Sequence, residues 1–197
     1  MLRKLLVASA ALVLTTAAAQ ASLIDNGITY TLTEAATSNP LIDQFTLGIS
    51  GINGSKDTEG GRYGVQSLAF TQPTNFSAAT SPSGFTYQSG GLNANGCDGK
   101  GNFLCFSANT TPAGPALSAD SMLSYTFGLT LSSGTFAGYV PDFKINWVGT
   151  KKHYNLVSLP LTPTAGGSVP VPEPGSLALL GTALVGLGLA VRRRHMG

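Results

Sequence analysis

Apolar residues in the middle of this chain recur at every second position. Ile28, Tyr30 and Leu32 alternate with Thr29, Thr31 and Thr33, and Phe45, Leu47 and Ile49 alternate with Thr46, Gly48 and Ser50. The pattern returns at Tyr125, Phe127, Leu129 and Leu131, and again at Phe143, Ile145 and Trp147. A period of two places one set of side chains on one face of a strand, where a helix would spread them around its circumference. Val65 to Phe70, Phe103 to Phe106 and Leu156 to Leu161 read as further strands. Turn clusters such as Gly51-Ile52-Asn53-Gly54 and Ser81-Pro82-Ser83-Gly84 lie between them. Short half-buried strands between turns predict an all-β fold, an antiparallel β-sandwich-like single domain. Thr71 to Leu92 is less regular and reads as a long loop. The last unit reads as a hairpin: Asp142 to Val148 out, Gly149 to Tyr154 turning, Asn155 to Leu161 back.

The two ends follow different rules. Arg3 and Lys4 precede an apolar run, Leu5 to Leu14, broken only by Ser9, and Ala19-Gln20-Ala21 is a small-x-small site. This order predicts a signal peptide over 1–21, engaged by a secretion translocon and cut by signal peptidase after Ala21. At the other end, 175–191 carries no charge and runs directly into Arg192, Arg193 and Arg194. At 1.5 Å per residue the run reaches roughly 25 Å, the short limit for a transmembrane helix. The arginines read as a stop-transfer cluster in a basic cytoplasmic tail, 192–197. The predicted domain is therefore 22–165, held outside the membrane. A Pro-rich stalk at 166–174 joins it to the span.

That stalk contains Val171-Pro172-Glu173-Pro174, in which the two prolines fix φ and hold their predecessors extended. This tetrapeptide, the following Gly-Ser, the apolar segment and the terminal Arg-Arg-Arg together resemble the PEP-CTERM sorting signal. The resemblance covers about 171–195. It implies a Gram-negative bacterium in which an exosortase processes the protein near the Pro-Glu-Pro triplet. It also implies delivery to the cell surface or an extracellular polysaccharide matrix after a transient or stable stage at the inner membrane. Leu159-Pro160-Leu161-Thr162-Pro163 matches only four positions of a sortase signal. Its scissile bond would precede a proline, so it reads as a last strand running into a Pro-rich stretch that begins at Pro160 and ends at Pro174.

Charge narrows the chemistry further. The formal net charge of +2 comes from the ends, because 22–165 holds six basic and eight acidic residues. A mildly acidic body has no field to draw phosphate backbones, so no nucleic-acid partner is expected. Cys97 and Cys105 are the only cysteines, and outside the cytoplasm an even pair predicts a disulfide. Their spacing does not match a redox or metal motif, and Lys56-Asp57-Thr58-Glu59-Gly60-Gly61 lacks the ligand spacing of a calcium loop. No metal or cofactor is expected. His153 and His195 are the only histidines, and there is no nucleophile elbow, zinc-protease motif or phosphate-cradling loop. The expectation is a non-enzymatic, structural or adhesive exported protein. Its ligand would be an exopolysaccharide, met by a Thr/Ser/Asn face and by tyrosines such as Tyr63, Tyr87 or Tyr139. Lys151, Lys152 and His153 read as a solvated basic turn. The alternatives are a secreted glycan hydrolase using two of the eight acids and a simple single-pass membrane protein.

Overall fold

The structure is a computed structural model that describes residues 22–150 and 158–165. Eleven strands follow in chain order: β1 Ser22–Asp25, β2 Ile28–Ala36, β3 Ile42–Ile52, β4 Arg62–Thr71, β5 Phe76–Thr80, β6 Phe85–Asn93, β7 Gly96–Ala108, β8 Ser121–Leu131, β9 Asp142–Gly149, β10 Leu159–Pro160 and β11 Pro163–Ala165. The described residues contain no helix. One sheet has the order β1-β2-β3-β8-β5, with β11 added on β2, and the other has the order β10-β9-β4-β7-β6. Every pairing is antiparallel except that of β11 with β2.

The alternating residues make the core. Ile28, Tyr30 and Leu32 from β2, Phe45 and Leu47 from β3 and Leu129 from β8 are fully buried. So are Leu68 and Phe70 from β4, Leu104 and Phe106 from β7 and Phe143 and Ile145 from β9. Aromatic rings join the two layers. Phe127 stands 4.8 Å from Phe70 and 5.3 Å from Phe106, and Tyr30 stands 5.3 Å from Phe143. Ring pairs at this spacing add about 0.5–1.5 kcal/mol each beyond the area they bury. Two sheets sharing one apolar layer make the sandwich-like arrangement that alternation predicts.

Two sequence expectations change. The segment 71–92 is not a long loop, because β5 and the greater part of β6 lie within it. Small residues at Ser77, Ala78, Ala79, Ser89, Gly90 and Gly91 dilute the alternation, and both strands are sheet edges, where less burial is needed to hold them. Of the final hairpin the structure describes the base, where Leu159 pairs with Phe143 and Pro160 with Asp142, while 151–157 lie outside the described residues. The chain beyond Pro160 is not yet stalk. Leu161 is buried, and Pro163–Ala165 crosses to the other sheet as β11.

A strand not expected from the pattern opens the domain. Asp25 pairs with Ile28 across Asn26 and Gly27, whose φ values are 50° and 82°. This is the left-handed pair that a two-residue hairpin needs. A Cβ on Gly27 would collide with the Lys56 carbonyl, so only glycine fits there.

Candidate functional site

The outward face of the β1-β2-β3-β8 sheet is built from the residues that alternate with the core. Register aligns them in rows. Thr164, Thr33, Thr46 and Thr126 stand in one row across β11, β2, β3 and β8. Ser22, Thr31, Gly48 and Ser124 make the next. Neighbouring strands lie about 4.8 Å apart, so the threonine row spans roughly 14 Å. None of the Asp, Glu, Lys or Arg residues among the described ones stands on this face, because Asp25, Glu34 and Asp43 share the parity of the core residues. The hydroxyls are largely turned inward. Thr31 Oγ1 donates to the Gly48 carbonyl at 3.5 Å, Thr33 Oγ1 to the Thr46 carbonyl at 3.4 Å and Thr164 Oγ1 to the Leu32 carbonyl at 3.3 Å. Thr46 and Thr126 share a hydroxyl–hydroxyl bond of 3.0 Å.

Ionisable groups gather at two other places. At one, Arg62 is buried with its Nε 3.2 Å from Asp57 Oδ2 and its Nη2 3.3 Å from Glu59 Oε2. Its guanidinium carbon lies 4.9 Å from the centre of the Trp147 ring. Asp57 also accepts the amides of Asn53, Glu59 and Gly60. Burial pushes the Asp57 carboxyl up, but these donors and Arg62 outweigh it and hold the group below its ordinary range. The Asp57–Glu59 segment is thus an internal ion pair and loop cap. The Tyr30 hydroxyl beneath this corner is pushed up to about 12 by burial.

At the other place, Glu34 and Asp43 are diagonal neighbours on the inward side of β2 and β3. They meet at a groove of about 290 Å³ beside Thr37 and Phe136. Asp43 Oδ1 accepts the Thr37 amide at 3.1 Å. Burial, then the hydrogen bond and charge of Asp43, push Glu34 up to about 7. Glu34 therefore holds its proton to a higher pH than a solvated carboxyl would.

The cysteines form the expected bridge. Cys97 and Cys105 are disulfide-bonded with their Cα atoms 5.6 Å apart. Eight steps of straight strand would separate them by roughly 26 Å, so β7 doubles back. Pairing shows where: between Ser89↔Leu104 and Gly91↔Gly99, two steps of β6 oppose five of β7. The resulting strap folds over the outside of the second sheet. There Leu92 packs on Ala69 and Cys105, and Asn146 Nδ2 donates to the Asn93 carbonyl at 2.8 Å. Beneath it, Ser67 Oγ and Asn146 Oδ1 are buried without a hydrogen-bond partner among the described residues.

The proposed tyrosines are less available than expected. Tyr87 and Tyr139 pack on the core, the latter donating to the Thr71 carbonyl at 2.6 Å, and Tyr63 is half-buried. Ala19, Ala21, Lys151, Lys152, His153, Val171, Pro172, Glu173, Pro174, Arg192, Arg193 and Arg194 lie outside the described residues, as does the 175–191 span. Among the described residues no group of three or more His, Cys, Asp or Glu could hold a metal, and no helix is long and apolar enough to cross a membrane. Sequence reading missed Glu34 with Asp43 and Arg62 with Trp147, since only strand register brings either pair together.

A family model, the PEP-CTERM protein-sorting motif, matches residues 170–194. No curated protein and no solved structure matches the chain. The C-terminus therefore carries a PEP-CTERM sorting signal, which indicates an exported protein sorted by an exosortase toward the cell surface.

Proposed function

We propose that this is a non-enzymatic surface or matrix protein whose β-sandwich is exported to act structurally or adhesively, with exopolysaccharide as its ligand. The sorting motif at 170–194 carries the reading, because it places a delivery signal directly behind the described domain. In this reading signal peptidase cuts after Ala21 and the translocon passes 22–170 outward. The apolar 175–191 run halts in the inner membrane with Arg192, Arg193 and Arg194 inside. The exosortase then acts near Val171-Pro172-Glu173-Pro174. The strand-built domain and its disulfide suit an oxidising exterior. The hydrolase alternative draws less support. A glycosidase sets its two carboxyls on opposite sides of the substrate, whereas Glu34 and Asp43 stand on adjacent paired strands of one sheet, on its core-facing side.

The test is intact mass and fractionation of the protein made by its own host. The external form should lack 1–21 and should be cut or modified near Pro174. Removal of 170–197 should redirect the domain. An external protein that keeps 22–197 unmodified, or a truncated one that reaches the same destination, would overturn the proposal.

A further inference from the structure

We infer that the threonine row on the β11-β2-β3-β8 face is a binding site for a neutral polysaccharide, one without carboxylate, sulfate or phosphate groups. The inference rests on the adhesive reading above and names the ligand class and the surface. Three observations carry it. First, the face holds no ionised side chain among the described residues, although acids and bases occur on the turns and inward corners around it. An anionic polymer would find no counter-charge there, and its desolvation would go uncompensated.

Second, within the row the hydroxyl donors of Thr33 and Thr164 are committed to backbone carbonyls, and Thr46 and Thr126 bond to each other. What the row offers outward is therefore mainly oxygen lone pairs and methyl groups. Lone pairs suit the O–H donors of a sugar and oppose the acceptor-only oxygens of a carboxylate or sulfate. The methyls suit the C–H faces of a pyranose ring. Third, the row is a regular track roughly 14 Å long and open at its surface, which fits an extended chain better than a single small molecule. Thr164 belongs to β11, so the track is complete only when the start of the C-terminal segment is docked on β2.

The experiment is affinity electrophoresis of the external protein through native gels containing hydroxyethyl cellulose, dextran or alginate. Light scattering of the same samples is recorded alongside. Retardation by at least one of the two neutral polymers and not by alginate is expected. Thr33→Val with Thr126→Val keeps the shape and removes two hydroxyls, and should weaken retention by about tenfold. Thr126→Asp should abolish it. Lys144→Ala, on the opposite sheet, should leave retention unchanged. Thermal melts within a few degrees of the unaltered protein verify folding of each variant. Free migration in both neutral gels, stronger retention by alginate, or a dimer that Thr126→Asp dissociates would each overturn the inference. The last outcome would mean that the face meets a second copy. A protein correctly exported yet blind to neutral glycans would sink this inference and leave the export reading standing. A protein that binds them but is never exported would do the reverse.

Discussion

At the scale of single residues, the side chains that matter most are those whose charge has been taken out of water. Arg62 is buried against Asp57 and Glu59, and truncating it would strand the Asp57 carboxylate in a place where water cannot reach it. Arg62→Ala should therefore cost about 3–5 kcal/mol in urea unfolding. A loss below about 1 kcal/mol would show that the loop amides alone hold Asp57. Glu34 makes a different prediction. Folded, it keeps its proton up to about 7, and unfolded only to the ordinary 4.5. Between these values the native state binds more protons than the unfolded chain, so stability falls as pH rises through that window. Glu34→Gln should flatten the slope, as read from urea midpoints at pH ~4.5 and ~7.5. An unchanged slope would assign the dependence to another group. Neither pair was legible in the sequence. Asp57 and Glu59 could be seen as loop acids, but Trp147 is 85 positions from Arg62 in the chain and meets it only through the β4–β9 register.

At the scale of elements, period-two alternation revealed β2, β3, β8 and β9 well. The same pattern failed for β5 and β6, where edge position and small residues relax the demand for apolar faces. The β1–β2 turn did leave a signal, Asn26-Gly27, the dipeptide that favours a tight hairpin. The disulfide was legible from two cysteines and an exported context. That it fastens a folded-back strap was not, since the reversal depends on close approach of Gly91 and Gly99. A Cβ on Gly99 would stand 2.7 Å from the Gly91 carbonyl oxygen. Replacing Cys97 and Cys105 by Ser should lower stability by about 2.5 kcal/mol, the closure entropy of a nine-residue ring. It should also open exposed Lys100 to a lysine-specific protease while the rest of the sandwich resists. Equal resistance with and without the bridge would mean that Leu92 and the Asn93–Asn146 bond hold the strap unaided.

At the scale of the whole molecule, the chain divides between a domain specified by alternation and a C-terminal segment specified by its sorting motif. The C-terminal address was legible because its order of motifs is linear and needs no folding to be read. The face that we assign to a ligand was legible only in part. Threonine spacing could be seen along each strand, but the row across four strands requires the pairings Thr164↔Thr33↔Thr46↔Thr126. Both borders of the described sandwich converge on β2. Ser22 opens β1 opposite Thr31, and Pro163 opens β11 opposite Leu32, the next position along the same edge. Tension drawn through residue 166 would thus reach the sandwich at three weakly fastened residues. Their peeling would release the segment from Thr162 onward, roughly 13 Å of slack, while buried Leu161 and the aromatic layer stay in place. The fold thereby holds a short mechanical fuse between any tether and its cargo.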